Sequence, residues 1–115
     1  MPRSHSSVPT KRRRNKYLKA ARGYYGGKHR LFKSAKEQVE KSLQYQYRDR
    51  RVRRREFRSL WIVRINAAAR MFGMSYSQLI NALNQKGIEI NRKVLADLAV
   101  HDLPAFEAVV NSARA

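Results

Sequence analysis

SAKEQVEKSLQYQYRDRRVRRREFRSLWIVRINAAARMF, residues 34–72, holds neither glycine nor proline and is dominated by Ala, Glu, Gln, Leu, Lys and Arg. Such side chains keep most of their rotamer freedom in a helix, and Ser34 with Glu37 has capping-box spacing, so the stretch predicts one long helix over 34–72. At about 1.5 Å of rise per residue that helix would span roughly 58 Å, more than a compact domain of the remaining chain can cover, and much of it is expected to protrude. The apolar periodicity agrees. Val39, Leu43 and Tyr47 begin a stripe, Arg50 and Arg54 interrupt it, and Phe57, Trp61, Ile65, Ala68 and Phe72 resume it. Seven of the eleven residues from 48 to 58 are Arg, spread around the whole helix. Like charges three and four residues apart repel, so this segment calls for anions alongside it and should fray without them.

On the N-terminal side, residues 1–9 are rich in Ser and Pro without periodicity and read as an extended tail. Thr10 is placed to cap a short helix over 11–22, and Gly23, Gly26 and Gly27 then break it and read as a flexible elbow. On the C-terminal side three further helices are punctuated by their caps. Ser75 with Gln78 opens one that Gly87 closes, Asn91 caps 92–101, and Asp102 with Pro104 starts a last one ending near Ala113. Their apolar faces are Leu79/Ile80/Leu83, Val94/Leu95/Leu98 and Phe106/Val109/Val110. With the end of the long helix they form a four-helix cluster, and no strand signal rises above residues 88–90. The fold class is all-α, a long basic N-terminal helical extension plus a small C-terminal helical domain. The domain division read from the sequence is 1–58 for the extension (tail, short helix, Gly elbow, long helix) and 59–115 for the globular part.

Charge follows the same division. The chain of 115 residues carries 26 Lys and Arg against 8 Asp and Glu, a net charge of +18. Residues 1–64 hold 21 of the basic and 4 of the acidic side chains, leaving 5 and 4 for residues 65–115. A small protein with this imbalance repels itself unless a polyanion neutralises it, which points to nucleic acid as the partner. Cysteine is absent, which excludes disulfides, thiolate metal sites and a Cys nucleophile. No run approaches the roughly 18 apolar residues of a membrane span, and the N-terminus lacks a signal peptide's apolar segment.

An enzyme reading has little to rest on. His5, His29 and His101 are scattered, no carboxylate pair shares an apolar helix face, and His101 beside Asp102 at a helix junction reads as a surface or capping residue. The three glycines lack the preceding strand of a nucleotide-binding loop. No cofactor, metal or small-molecule substrate is implied. The basic arm is different, because Tyr17, Tyr24, Tyr25, Tyr45, Tyr47 and Trp61 are interleaved with its cations. Arg pairs bidentately with phosphate, and aromatic planes stack on unpaired bases. Residues 75–86 and 91–101 imitate a helix-turn-helix, but their near-zero charge argues against groove insertion and for an anchoring domain. RNA is favoured over DNA because a thin arm suits threading between folded RNA helices. Two rivals use the same charge: a DNA-compacting architectural protein, and a cationic membrane-surface protein. The second needs a segregated apolar face, which a segment basic on all sides does not offer.

The segments ARGYYGGKHRLFKSAKE (21–37), QYRDRR (46–51), REFRSLWIVRINAAAR (55–70) and INRKVLADLAVHD (90–102) carry a signature in one register over almost the whole chain. They resemble the bacterial large-subunit ribosomal protein L twenty family. That resemblance implies a basic extension buried in 23S ribosomal RNA, a helical domain that also contacts RNA, an early role in subunit assembly and no part in peptide-bond chemistry. It further implies neighbouring large-subunit ribosomal proteins as partners, a cytoplasmic ribosomal location (bacterial, or the organellar equivalent) and, in some bacteria, repression of translation of the protein's own messenger RNA. Carried onto matching positions, the RNA-binding residues are Arg3, Lys11, Arg12, Arg13, Arg14, Lys16, Lys19, Arg22, Tyr24, Lys28, His29, Arg30, Lys33, Tyr47, Arg48, Arg50, Arg51, Arg54, Arg55, Arg58, Trp61, Arg64 and Arg70, with Asn66 beside them. Trp61 lies on the apolar stripe at the junction and is divided between core and RNA.

Overall fold

In the computed structural model, which describes residues 5–115, the chain is all helical. The elements are α1 (Ser7–Ala20), a 3-10 turn (Gly26–His29), α2 (Phe32–Met71), α3 (Tyr76–Gln85), α4 (Arg92–His101) and α5 (Leu103–Arg114). The long glycine-free stretch is indeed one helix of 40 residues. Two compact units divide the chain between Arg51 and Val52, within α2.

The first unit corrects three expectations. Helix α1 starts at Ser7 and not beyond Thr10, so residues 7–9 are helical rather than extended. Pro9 fits there because the first turn of a helix has no intrahelical use for its N–H, and the Thr10 N–H donates instead to the Ser6 carbonyl at 2.9 Å. The Ser34–Glu37 box does not cap α2. The helix begins two residues earlier, with the Ala35 N–H donating to the Leu31 carbonyl at 2.8 Å, which places Ser34 inside the first turn.

The glycine elbow, third, is a bonded turn rather than a free joint. Gly23 (φ +86°) and Gly26 (φ +59°) take up left-handed backbone conformations that a Cβ disfavours. The Tyr24 N–H then reaches the Ala21 carbonyl at 3.1 Å and the Leu31 N–H the Gly27 carbonyl at 2.8 Å. The turn folds over a small core of Ala21, Ala35 and Val39, with Tyr17, Leu18 and Tyr24 packed against it. Tyr24 fastens it by donating its hydroxyl to Ser42 Oγ at 2.9 Å.

The second unit holds the larger core: Ile65, Ala68 and Ala69 of α2, Leu79 and Leu83 of α3, Leu95 and Ala96 of α4, and Phe106, Val110 and Ala113 of α5. Burial of these side chains is the main stabilising term, at about 25 cal/mol per Å² of apolar surface. Expected caps form here as the spacing requires. The Ser75–Gln78 capping box is complete, Asn91 accepts from the Lys93 N–H, and Asp102 accepts from the Ala105 N–H. Helix α4 deviates on one face, where Val94 is exposed and Ala96 takes the buried position. Two bonds close the unit across the chain: Arg92 Nε donates to the Tyr76 hydroxyl at 2.7 Å, and the Arg114 guanidinium donates to the Phe72 carbonyl.

Candidate nucleic-acid interface

Between these cores lies a stretch of α2 without inward-facing side chains. Of residues 43–60 every one but the half-buried Val52 is exposed, including Leu43, Tyr45, Tyr47, Phe57 and Leu60. The stripe anticipated from Val39 through Leu43 to Tyr47 therefore ends at Val39. Periodicity alone could not show this, because an apolar residue at helical spacing is buried only where another element covers it.

The guanidiniums of this stretch are almost all without carboxylates. Among the described residues the ion pairs are Arg48 Nε with Asp49 Oδ1 at 2.9 Å and His101 Nε2 with Asp97 Oδ1 at 3.7 Å. The hydrogen bond to Asp49, reinforced by its charge, holds the Arg48 pKa above the usual arginine value. Arg50, Arg51, Arg53, Arg54, Arg55 and Arg58 are exposed with no such partner among the described residues. Aromatic rings hold two of the cations: Arg51 lies over Tyr47 at 3.7 Å, and Arg48, the one already paired with Asp49, lies over Tyr45 at 4.7 Å. A guanidinium lying on a ring is held by its face, and the N–H groups of Arg51 and Arg48 beyond those bonded to the Tyr47 carbonyl and to Asp49 remain available to phosphate.

Helix α1 repeats the pattern. Lys11, Arg12, Arg13, Arg14, Lys16 and Lys19 are exposed, and Arg14 lies over Phe32 at 5.2 Å. Arg22, Lys28, His29, Arg30 and Lys33 continue the exposed basic surface through the elbow, with Asn15, Leu18, Lys19, Arg22 and His29 lining one groove. Tyr24 has a place in the fold of the elbow. It is half-buried against the small core and tied to Ser42.

In the second unit Trp61 has one side on the core and one side open. It is half-buried against the core, and it also lines an open groove with Arg64, Lys93, Val94, Ala96 and Asp97. Arg64 and Arg70 are exposed, whereas the Asn66 side chain accepts the Tyr76 N–H at 3.2 Å and is taken up by the fold. Arg3 lies outside the described residues. Sequence reasoning passed over Arg53, Lys41 and Lys93. The first belongs to the arginine run itself, and Lys41 sits four residues before Tyr45, over whose ring it lies at 5.2 Å. Lys93 had no local signal, since only the packing of α4 brings it to Trp61.

Among the described residues no group of His, Asp or Glu is arranged to hold a metal ion, and no helix is long and apolar enough to cross a membrane. Fold and surface together define a helical polyanion-binding protein, built on two small cores with a densely cationic helical stretch. Comparison with known proteins makes the class particular. A model of the family "Ribosomal protein L20" matches residues 3–109. Proteins named "Large ribosomal subunit protein bL20" are 60% identical over 114 residues in Carboxydothermus hydrogenoformans, covering 99% of this chain and 97% of that one. Those of Brevibacillus brevis and Lactococcus lactis subsp. cremoris are 59% and 57% identical, each covering 99% of this chain and 96% of its own. This chain belongs to the ribosomal protein L20 family, a family of ribosomal proteins and not of enzymes.

Proposed function

We propose that this protein is a structural constituent of the large ribosomal subunit, located in the bacterial cytoplasm or its organellar equivalent, which binds 23S ribosomal RNA directly and promotes early assembly of the subunit. Residues 1–58 act as the RNA-threading extension and residues 59–115 as the helical domain that anchors it among neighbouring large-subunit proteins. The observation that carries the reading is the exposed stretch 43–60, whose arginines pair, among the described residues, with no carboxylate other than Asp49.

The phosphate contacts fall to Lys11, Arg12, Arg13, Arg14, Lys16, Lys19, Arg22, Lys28, Arg30, Lys33, Arg48, Arg50, Arg51, Arg54, Arg55, Arg58, Arg64 and Arg70, with Arg3 joining them. Tyr47 and Trp61 supply aromatic surface, and His29 a polar contact. An element that neutralises phosphates on several sides draws RNA helices together, which is the chemistry an early assembly protein needs. The same surface would serve in repressing the protein's own messenger RNA, because a folded messenger presents the same phosphates and unpaired bases.

Competition between a large-subunit ribosomal RNA fragment and duplex DNA at physiological salt tests the proposal. The RNA fragment is expected to win clearly. Equal competition by DNA would favour the architectural DNA-binding reading instead.

A further inference from the structure

The groove on α1 and the elbow differs from the rest of the basic surface in holding a fixed hydrogen-bond acceptor. Asn15, Lys19 and Arg22 recur every three or four residues, so they face one side as α1 runs into the turn, and His29 returns beside them from the 3-10 turn over Leu18. His29 Nδ1 lies 2.8 Å from the Tyr24 carbonyl oxygen. A carbonyl only accepts, so Nδ1 carries the hydrogen, and in the neutral imidazole Nε2 is then an acceptor. The bond also fixes the ring, because Tyr24 is itself held by Ser42 and the small core. Among the described residues Nε2 has no hydrogen-bond partner, and the side chains of Lys19 and Arg22 have none either.

We propose that Asn15, Lys19, Arg22 and His29 form a ribose-phosphate subsite in which Lys19 and Arg22 hold the phosphate and Nε2 of His29 accepts the ribose 2′-hydroxyl. This rests on the RNA-binding reading above and adds a residue that discriminates RNA from DNA. Lysine and arginine only donate, so a site made of them alone takes ribose and deoxyribose phosphates alike. The Asn15 amide offers both a donor and an acceptor and can turn either toward a ligand. The imidazole cannot turn without losing its bond to Tyr24, so it presents a fixed acceptor to which a ribose 2′-hydroxyl can donate and for which a deoxyribose has no counterpart.

The test uses the full-length chain with single-stranded oligouridylate and oligodeoxyuridylate of equal length, which removes duplex geometry from the comparison. His29→Asn keeps a donor at the Nδ1 position and removes the acceptor, whereas His29→Gln places an amide oxygen near the Nε2 position. The ribo-over-deoxy preference should fall about fivefold in His29→Asn, the worth of one hydrogen bond, and return largely in His29→Gln. Lys19→Ala with Arg22→Ala should weaken both oligonucleotides by the same factor. In the unaltered protein the Nε2 nitrogen resonance of His29 should shift with oligouridylate and much less with oligodeoxyuridylate. A preference that survives His29→Asn, or equal shifts with both oligonucleotides, overturns the subsite and leaves the RNA-binding reading standing. Failure to bind either oligonucleotide overturns both.

Discussion

The guanidinium carbon of Arg51 lies 3.7 Å from the centre of the Tyr47 ring, one helical turn before it, and its Nη1 donates to the Tyr47 carbonyl at 3.4 Å. On the neighbouring turn Tyr45 carries Arg48 at 4.7 Å and Lys41 at 5.2 Å. Exposed tyrosines on this helix therefore act on the cations beside them. A long side chain held against a ring has less freedom to lose when it pairs with phosphate, which favours binding without any added contact. Tyr47→Leu should weaken binding to a 23S RNA fragment by about threefold, the scale of an exposed cation–π contact, while Tyr47→Phe keeps the ring and should match the unaltered protein. Equal affinity of all three would show that the stacking contributes nothing.

Replacing Arg50, Arg51, Arg54 and Arg55 together by Ala removes four exposed cations from the stretch between the cores. Alanine is the better helix former and like-charge repulsion is relieved, so helix content should not fall. RNA affinity should fall strongly, and the slope of log affinity against log salt should become shallower by roughly 3. An unchanged slope would mean that these side chains never meet phosphate.

Removal of residues 1–58 leaves the whole of the larger core in place, since its members begin at Ile65. The remaining 59–115 should therefore unfold in one cooperative thermal transition. In the intact chain, Ile65→Ala should destabilise that transition by about 2–5 kcal/mol, because the side chain is fully buried and its loss leaves a cavity. A truncated chain without a transition would contradict the independence of the domain.

The middle of α2 is helical without a core beside it, and helix stability of that kind is low. Amides at 48–58 should exchange with solvent faster than those of Ile65, Ala68 and Ala69 in the free protein. On the RNA the two groups should converge, as phosphates replace repulsion by attraction. Equal protection before RNA is added would show that the arginine run needs no anion to hold its helix.

Local chemistry explains which features the sequence made legible. The caps at Ser75, Asn91 and Asp102 bond to backbone two or three residues away, so their spacing in the chain is also their spacing in space. Ser34 and Thr10 have the same chemical credentials and cap nothing, because the helices around them begin earlier. Charge was legible in the same way, since exposed Lys and Arg keep the pattern in which they are written.

By itself the sequence determined the all-helical class, the unbroken long helix, the arginine run and the family to which the chain belongs. Each depends on residues near one another along the chain or on residue identity alone. Only the tertiary structure decided that the glycine elbow packs on Ala21, Ala35 and Val39, that Leu43 and Phe57 stay exposed while Ala96 is buried, and that Trp61 and Lys93 share a groove. It also decided that His29 is held by the Tyr24 carbonyl and returns beside Asn15, Lys19 and Arg22. Those outcomes depend on which surfaces meet, and a meeting between residues distant in the chain is fixed by packing rather than by period.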